Sequence, residues 1–239
     1  MKIKLLFLIS IFTLSYTSGF SQSETNTKKN KFEFSTGLNS GALKNLEFSP
    51  VSRYDYNGLV YKFGYERTSK NQNLFNVQFD YLESELKTDL IPVLNLDYAK
   101  IGLSFSYLKQ IYSENKFSVH LGLQSYSNLS IYSKSDDYRS IFNQTLGIAS
   151  QFSYQINEKH SFTSKLTIPA VLFRLSDSSA DLHSFNKYQS LFWNIGYKYS
   201  LSNHLDVKLS YYFNYDRLQI PNAFREIQYQ LNLGINYKF

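Results

Sequence analysis

Two short clusters have residue types that could do acid–base chemistry. Glu83-Ser84-Glu85 presents paired carboxylates, and Asp181-Leu182-His183 sets a carboxylate two residues from an imidazole. A histidine oriented by a carboxylate is a competent general base. Solvated loop charge is the plainer reading. Glu83 and Glu85 continue the outward phase of Tyr81, so they point away from a cleft unless the chain bends. The other histidines are dispersed: His120 stands alone on one strand face, and His160 and His204 fall in short polar turns. Asp136 and Asp137, beside Lys134 and Arg139, read as solvated charge, because their spacing is unspecific for Ca²⁺. No GxSxG, Walker A, HExxH or dinucleotide fingerprint occurs. The chain has no Cys, which removes thiolate metal sites and a disulfide scaffold. No cofactor or metal is expected.

The elements that would carry these residues alternate with period two. From Ile227 the odd positions read Ile, Tyr, Leu, Leu, Ile, Tyr, Phe, and the even positions read Gln, Gln, Asn, Gly, Asn, Lys. Soluble strands usually run about five or six residues, whereas membrane strands need about nine to eleven. Similar runs cover Phe32–Leu38, Leu59–Tyr65, Phe75–Tyr81, Ile101–Tyr107, Phe117–Leu123, Phe142–Tyr154, Phe162–Leu172, Leu191–Tyr199 and Leu205–Tyr215. The connections alternate. Shorter turns fall near Thr68–Asn73, Gln110–Lys116, Asn157–His160 and Ser202–His204. Longer segments fall near Gly41–Tyr56, Glu83–Leu94, Tyr126–Ser140, Arg174–Lys187 and Asp216–Arg225. The expected fold is therefore all-β: an antiparallel up-and-down transmembrane barrel of about ten strands, with short turns at one end and longer loops at the other.

Two patterns that did not define the strands agree with this phase. Aromatics gather at the ends of the outward faces, with Phe32, Tyr65, Tyr107, Tyr154, Tyr199 and Phe239 at one end and Tyr81, Trp193, Tyr215 and Tyr229 at the other. Val77, Leu103, Leu121, Ile148, Ile195 and Leu233 lie between them, as two girdles around an aliphatic belt. Gly37, Gly64, Gly102, Gly122, Gly147, Gly196 and Gly234 all fall on the inward phase, where they permit curvature and leave room for neighbouring side chains.

The inward phase carries charge: Lys62, Glu66, Asp80, Lys100, His120, Lys165, Lys198, Asp206 and Lys208. Facing lipid, an Arg or Lys costs about 2–4 kcal/mol at the midplane. Facing a lumen, these groups can pair and fill it. A structural plug is expected, with a selectivity filter as the alternative.

Composition fits this picture. There are 21 Tyr and 20 Phe, yet the mean hydropathy is −0.34. The net charge of +6 is scattered, with no basic run of the kind that binds nucleic acid. Lys2 and Lys4 precede an apolar run, Leu5 to Leu14, and Gly19-Phe20-Ser21 follows. That is the pattern of a secretory signal, so residues 1–21 are expected to be removed, with 22–239 forming one barrel domain.

The terminal Ile235-Asn236-Tyr237-Lys238-Phe239 resembles the C-terminal β-signal of bacterial outer-membrane β-barrel proteins, with Ile235, Tyr237 and Phe239 as its alternate positions. Together with Phe20-Ser21-Gln22 and the Tyr/Asn/Lys-rich strands, the chain looks like small barrels of Bacteroidetes type. The resemblance implies an outer-membrane location, contact with its lipid, and recognition by the barrel assembly machinery. The Glu83/Glu85 and Asp181/His183 pairs are also similar to those of the ten-stranded omptin proteases, a resemblance that implies a water activated between the two loops, but with Glu where omptins carry Asp and with much shorter strands beneath. The expected function is a non-enzymatic surface barrel that supports the envelope or binds a lipid or envelope protein through its loops. A narrow channel or small-solute conduit is the second reading, and a membrane-embedded hydrolase, omptin-like or lipid-modifying, is the third.

Overall fold

The computed structural model describes residues 29–89, 92–134, 137–176, 179–219 and 223–239. The expected leader, its cleavage point after Ser21, and Asp136 lie outside the described residues.

Alternating apolar and polar residues, rich in aromatic and β-branched types, extend the backbone into pleated strands with two unlike faces. The strands are β1 (Asn30–Asn45), β2 (Tyr54–Thr68), β3 (Leu74–Leu86), β4 (Leu96–Glu114), β5 (Phe117–Lys134), β6 (Asp137–Gln155), β7 (His160–Leu175), β8 (Ala180–Ser184), β9 (Tyr188–Ser200), β10 (Leu205–Leu218) and β11 (Phe224–Lys238). All pairings are antiparallel. β1 to β7 pair in sequence, β7 pairs with β9, and β9 to β11 lead back to β1, so ten strands close a ring. The closing pair runs from Lys31 opposite Lys238 to Asn45 opposite Phe224. Closure leaves no sheet edge within the ring to attract another chain. β8 stands outside the count: β7 pairs with β9 through Thr167, then with β8 from Val171 to Leu175.

The wall has its apolar face outward. On β11, Leu233 and Ile235 are half exposed, while Asn232 and Asn236 on either side of them are fully buried. This inverts a soluble protein, whose polar groups face water on the outside. Gly102 shows why inward glycine matters. A Cβ there would sit 2.4 Å from Asp80 Oδ2 and 2.6 Å from the Tyr126 hydroxyl, so its absence makes room for their 3.3 Å hydrogen bond.

The strands outrun several expected boundaries. β5 reaches Lys134 and β6 begins at Asp137, so most of the segment read as a loop from Tyr126 to Ser140 is tall wall. β3 extends to Leu86, which places Glu83 and Glu85 in a strand and not in a loop. Leu172, read as outward, is instead buried on the inward side. The cause is a β-bulge on β7. Leu146 pairs with Val171 and Gly147 with Pro169, which leaves Ala170 without an opposite residue. An extra residue shifts the period-two phase, and Pro169 has no N–H to give to a ladder. Ile168 is exposed before the bulge, Phe173 and Leu175 after it, and Leu172 and Arg174 turn inward.

Candidate functional site

The lumen divides into two regions of different chemistry. At the loop end the inward phase is apolar and tyrosine-rich. Leu43, Tyr56, Leu82, Tyr98, Tyr132, Ile141, Leu172, Tyr188, Leu218 and Phe224 form one buried cluster. The β1–β2 connection adds Val51 to it and lays Phe48 against Tyr132, with ring centroids 4.3 Å apart. Tyr98 stacks on Tyr132 at 5.4 Å and meets Tyr56 edge-on at 5.4 Å.

Two ion pairs sit within this plug. Lys100 Nζ donates to Glu226 Oε2 at 2.6 Å, with both side chains almost wholly buried. Tyr56 and Tyr98 hydroxyls donate to Glu226 Oε1 at 2.6 and 3.3 Å. A buried carboxylate is tolerable only when its oxygens are satisfied in this way. Arg174 donates to Glu47 Oε2 through Nη2 at 2.9 Å and Nε at 3.2 Å, and to Asn143 at 3.0 Å. Its guanidinium carbon lies 4.9 Å from the Phe224 ring centroid.

Toward the turn end the lining becomes polar. At mid-height Lys62 Nζ lies 3.1 Å from the centroid of the Tyr212 ring, a cation–π contact. Beside it is a cavity of about 80 Å³ lined by Asp80, Tyr126 and Gln228 among others. Below lies a larger cavity of about 330 Å³, rimmed by Gln72 and Lys116 from the short turns and by Gln155 at the end of β6. Ion pairs stand along this part of the wall: Lys31–Glu66 at 2.8 Å, Lys208–Glu33 at 2.9 Å, and Asp206 with Lys238 at 2.7 Å and Lys198 at 3.7 Å.

The nine charged residues read as lumen-facing therefore fall in different settings. Lys100 is in the plug, Lys62 and Asp80 are at mid-height, and Glu66, His120, Lys165, Lys198 and Lys208 line the larger cavity. Asp206 is buried beside that cavity. The reading missed Glu33, Glu47, Arg174 and Glu226. Glu33 and Glu226 sit on inward phases already recognised and could have been found by extending them. Glu47 belongs to a loop, and Arg174 is turned inward only by the bulge, so alternation gave no signal for either.

The residues considered for water activation do not converge. Glu83 and Glu85 are exposed on the outer face of β3, where Glu83 accepts from the Tyr81 hydroxyl at 3.2 Å and Glu85 pairs with Lys87 at 3.0 Å. Asp181 and His183 lie on β8, opposite Arg174 and Leu172, and His183 is buried on the inner side. The carboxylate pair and the imidazole thus occupy opposite faces of the wall. Among the described residues no three His, Asp or Glu side chains gather as metal ligands. Ile235, Tyr237 and Phe239 are exposed on the outer face, and Phe239 stacks on Phe32 at 5.2 Å.

No protein-family model and no curated protein matches the chain. Solved structures do resemble it. The translocator domain of autotransporter NalP from Neisseria meningitidis is 9% identical, covering 100% of this chain and 97% of its own, with a TM-score of 0.44. An outer membrane channel from Pseudomonas putida F1 is 8% identical over 91% of this chain and 100% of its own, at 0.47. The transport unit of the autotransporter AIDA-I from Escherichia coli is 10% identical over 96% and 97%, at 0.47. At these values the likeness does not extend to function.

Proposed function

We propose that the chain is an integral outer-membrane barrel that acts as a closed surface scaffold, meeting lipid or a neighbouring envelope protein through its loop end. Its outer face suits hydrocarbon: aliphatic side chains are exposed at mid-wall, and rings cluster at the turn end, as in Phe34–Phe63 at 4.9 Å and Phe32–Tyr65 at 5.3 Å. In this reading residues 1–21 direct export, the short turns face the periplasm, and Ile235, Tyr237 and Phe239 present the β-signal to the assembly machinery. Deleting Phe239 is expected to lower the amount of heat-modifiable protein in outer-membrane fractions. Unchanged assembly would remove the β-signal role, and a soluble periplasmic protein would overturn the barrel reading itself.

The observation that carries closure is the loop-end plug, in which every barrel strand contributes a buried apolar residue or tyrosine. An ion crossing there would have to leave its hydration shell for an apolar core, which costs far more than thermal energy. The narrow-channel reading requires that plug to move. Planar-bilayer recording of the purified protein is expected to be silent. Conductance steps in the unaltered protein would overturn the scaffold reading in favour of a channel.

A further inference from the structure

The turn-end cavity has a charge balance that its own wall does not settle. Lys31, Lys116, Lys165, Lys198 and Lys208 line it, against the carboxylates of Glu33 and Glu66. Glu33 takes Lys208 and Glu66 takes Lys31. Lys198 shares Asp206 with the nearer Lys238. Lys116 donates to the Ile156 carbonyl at 2.8 Å. Lys165 reaches across the lumen from β7 to β4 and donates to Ser106 Oγ at 3.0 Å, and among the described residues it has no ion-pair partner. Three ammonium groups are thus left without a carboxylate of their own.

The same lining holds polar atoms with no protein partner. Asn236 is fully buried with both amide atoms unpartnered, and Ser161, 6% exposed, has an unpartnered hydroxyl. His120, 5% exposed, points one ring nitrogen at the Gln72 carbonyl at 3.0 Å. A carbonyl only accepts, so Nε2 carries the hydrogen and the unpartnered Nδ1 of the neutral ring is an acceptor. A buried polar group without a partner calls for a ligand or water. Here donors, surplus positive charge and acceptors on Asn236 and His120 surround a single volume of about 330 Å³, within the range of small-molecule sites.

We infer that this cavity is a binding site for a small multivalent oxyanion that also carries a hydroxyl group, entering from the turn end. The lysines and the Asn236 and Ser161 donors suit its oxygens, and His120 Nδ1 suits its hydroxyl. A phosphate ester and a hydroxycarboxylate share this chemistry. The site is blind beneath the plug, so it holds its ligand without passing it. The inference takes its periplasmic address from the orientation proposed above, but binding and conductance are separate readouts, and either can fail alone.

The test is isothermal titration calorimetry on the refolded full barrel in a neutral detergent, with glycerol 3-phosphate and citrate in separate arms and glycerol as the uncharged control. Saturable one-to-one binding of at least one anion is expected, and the arm that binds identifies the source. Lys165→Gln should weaken it at least tenfold, and Lys187→Gln, an exposed change at the loop end, should leave it unaltered. Heat-modifiable mobility confirms that each variant is folded. If Lys165→Gln does not fold, Lys165→Met and Ser161→Ala carry the same expectation. Failure of both anions to bind would overturn the site, as would equal weakening by Lys187→Gln, which would indicate diffuse charge attraction.

Discussion

Lys100 and Glu226 meet at 2.6 Å with side-chain exposures of 6% and 5%, walled by tyrosines, whereas Lys208 and Glu33 meet at 2.9 Å with exposures of 16% and 13% beside an open cavity. The two pairs are alike in chemistry and differ in their surroundings. In the plug, removing one partner strands the other in a dry interior. Beside the cavity, water can take the place of the lost partner. The lumen is therefore two environments, and the worth of a charge in it depends on which end it occupies.

Deleting Ala170 together with Val171 should have the largest effect, because it removes one residue more than the bulge holds and sends Leu172 and Arg174 to the outer face, whereas deleting Ala170 alone keeps both inward. Little or no heat-modifiable form is expected of the double deletion, and normal folding would show that the phase of β7 does not hold Leu172 and Arg174 inward. Glu226→Ala comes next, with an expected loss of about 3–5 kcal/mol in urea unfolding. The double variant Lys100→Met with Glu226→Leu should regain most of that loss; a double variant as unstable as Glu226→Ala would mean that the pair holds more than its own geometry. Arg174→Ala should cost about 2–3 kcal/mol through its charged hydrogen bonds to Glu47 and Asn143. Lys208→Gln should cost about 1 kcal/mol or less, and that cost should shrink at high salt while the Glu226 effect does not. Equal salt dependence at the two ends would erase the distinction between them.

Much of the wall was legible from alternation. The apolar face of β11, the inward Asn232 and Asn236, and the inward glycines follow from period two and the need to keep polar backbone paired. The plug was not. On the inward phase Tyr56, Tyr98 and Tyr132 look like other ring residues in a sequence crowded with them, and only strand order shows that they meet. Arg174 was hidden for a different reason: one unpaired residue at Ala170 changes which face it occupies, and pattern reading continued the old phase. The turn-end cavity was half legible. Its lysines were read as lumen-facing, but the surplus among them appears only when each carboxylate is assigned its partner.

The membership of the plug has a consequence for assembly. Each of the ten ring strands supplies at least one of its residues, from Leu43 on β1 to Phe224 on β11. Such a cluster cannot mature strand by strand, because its first and last members come together only when the seam between β1 and β11 is made. An unfinished sheet keeps its inner face wet, so the charged groups stay hydrated until the seam is made. Drying comes last and acts as a latch: it rewards a fully zipped ring and gives a partly zipped one almost nothing.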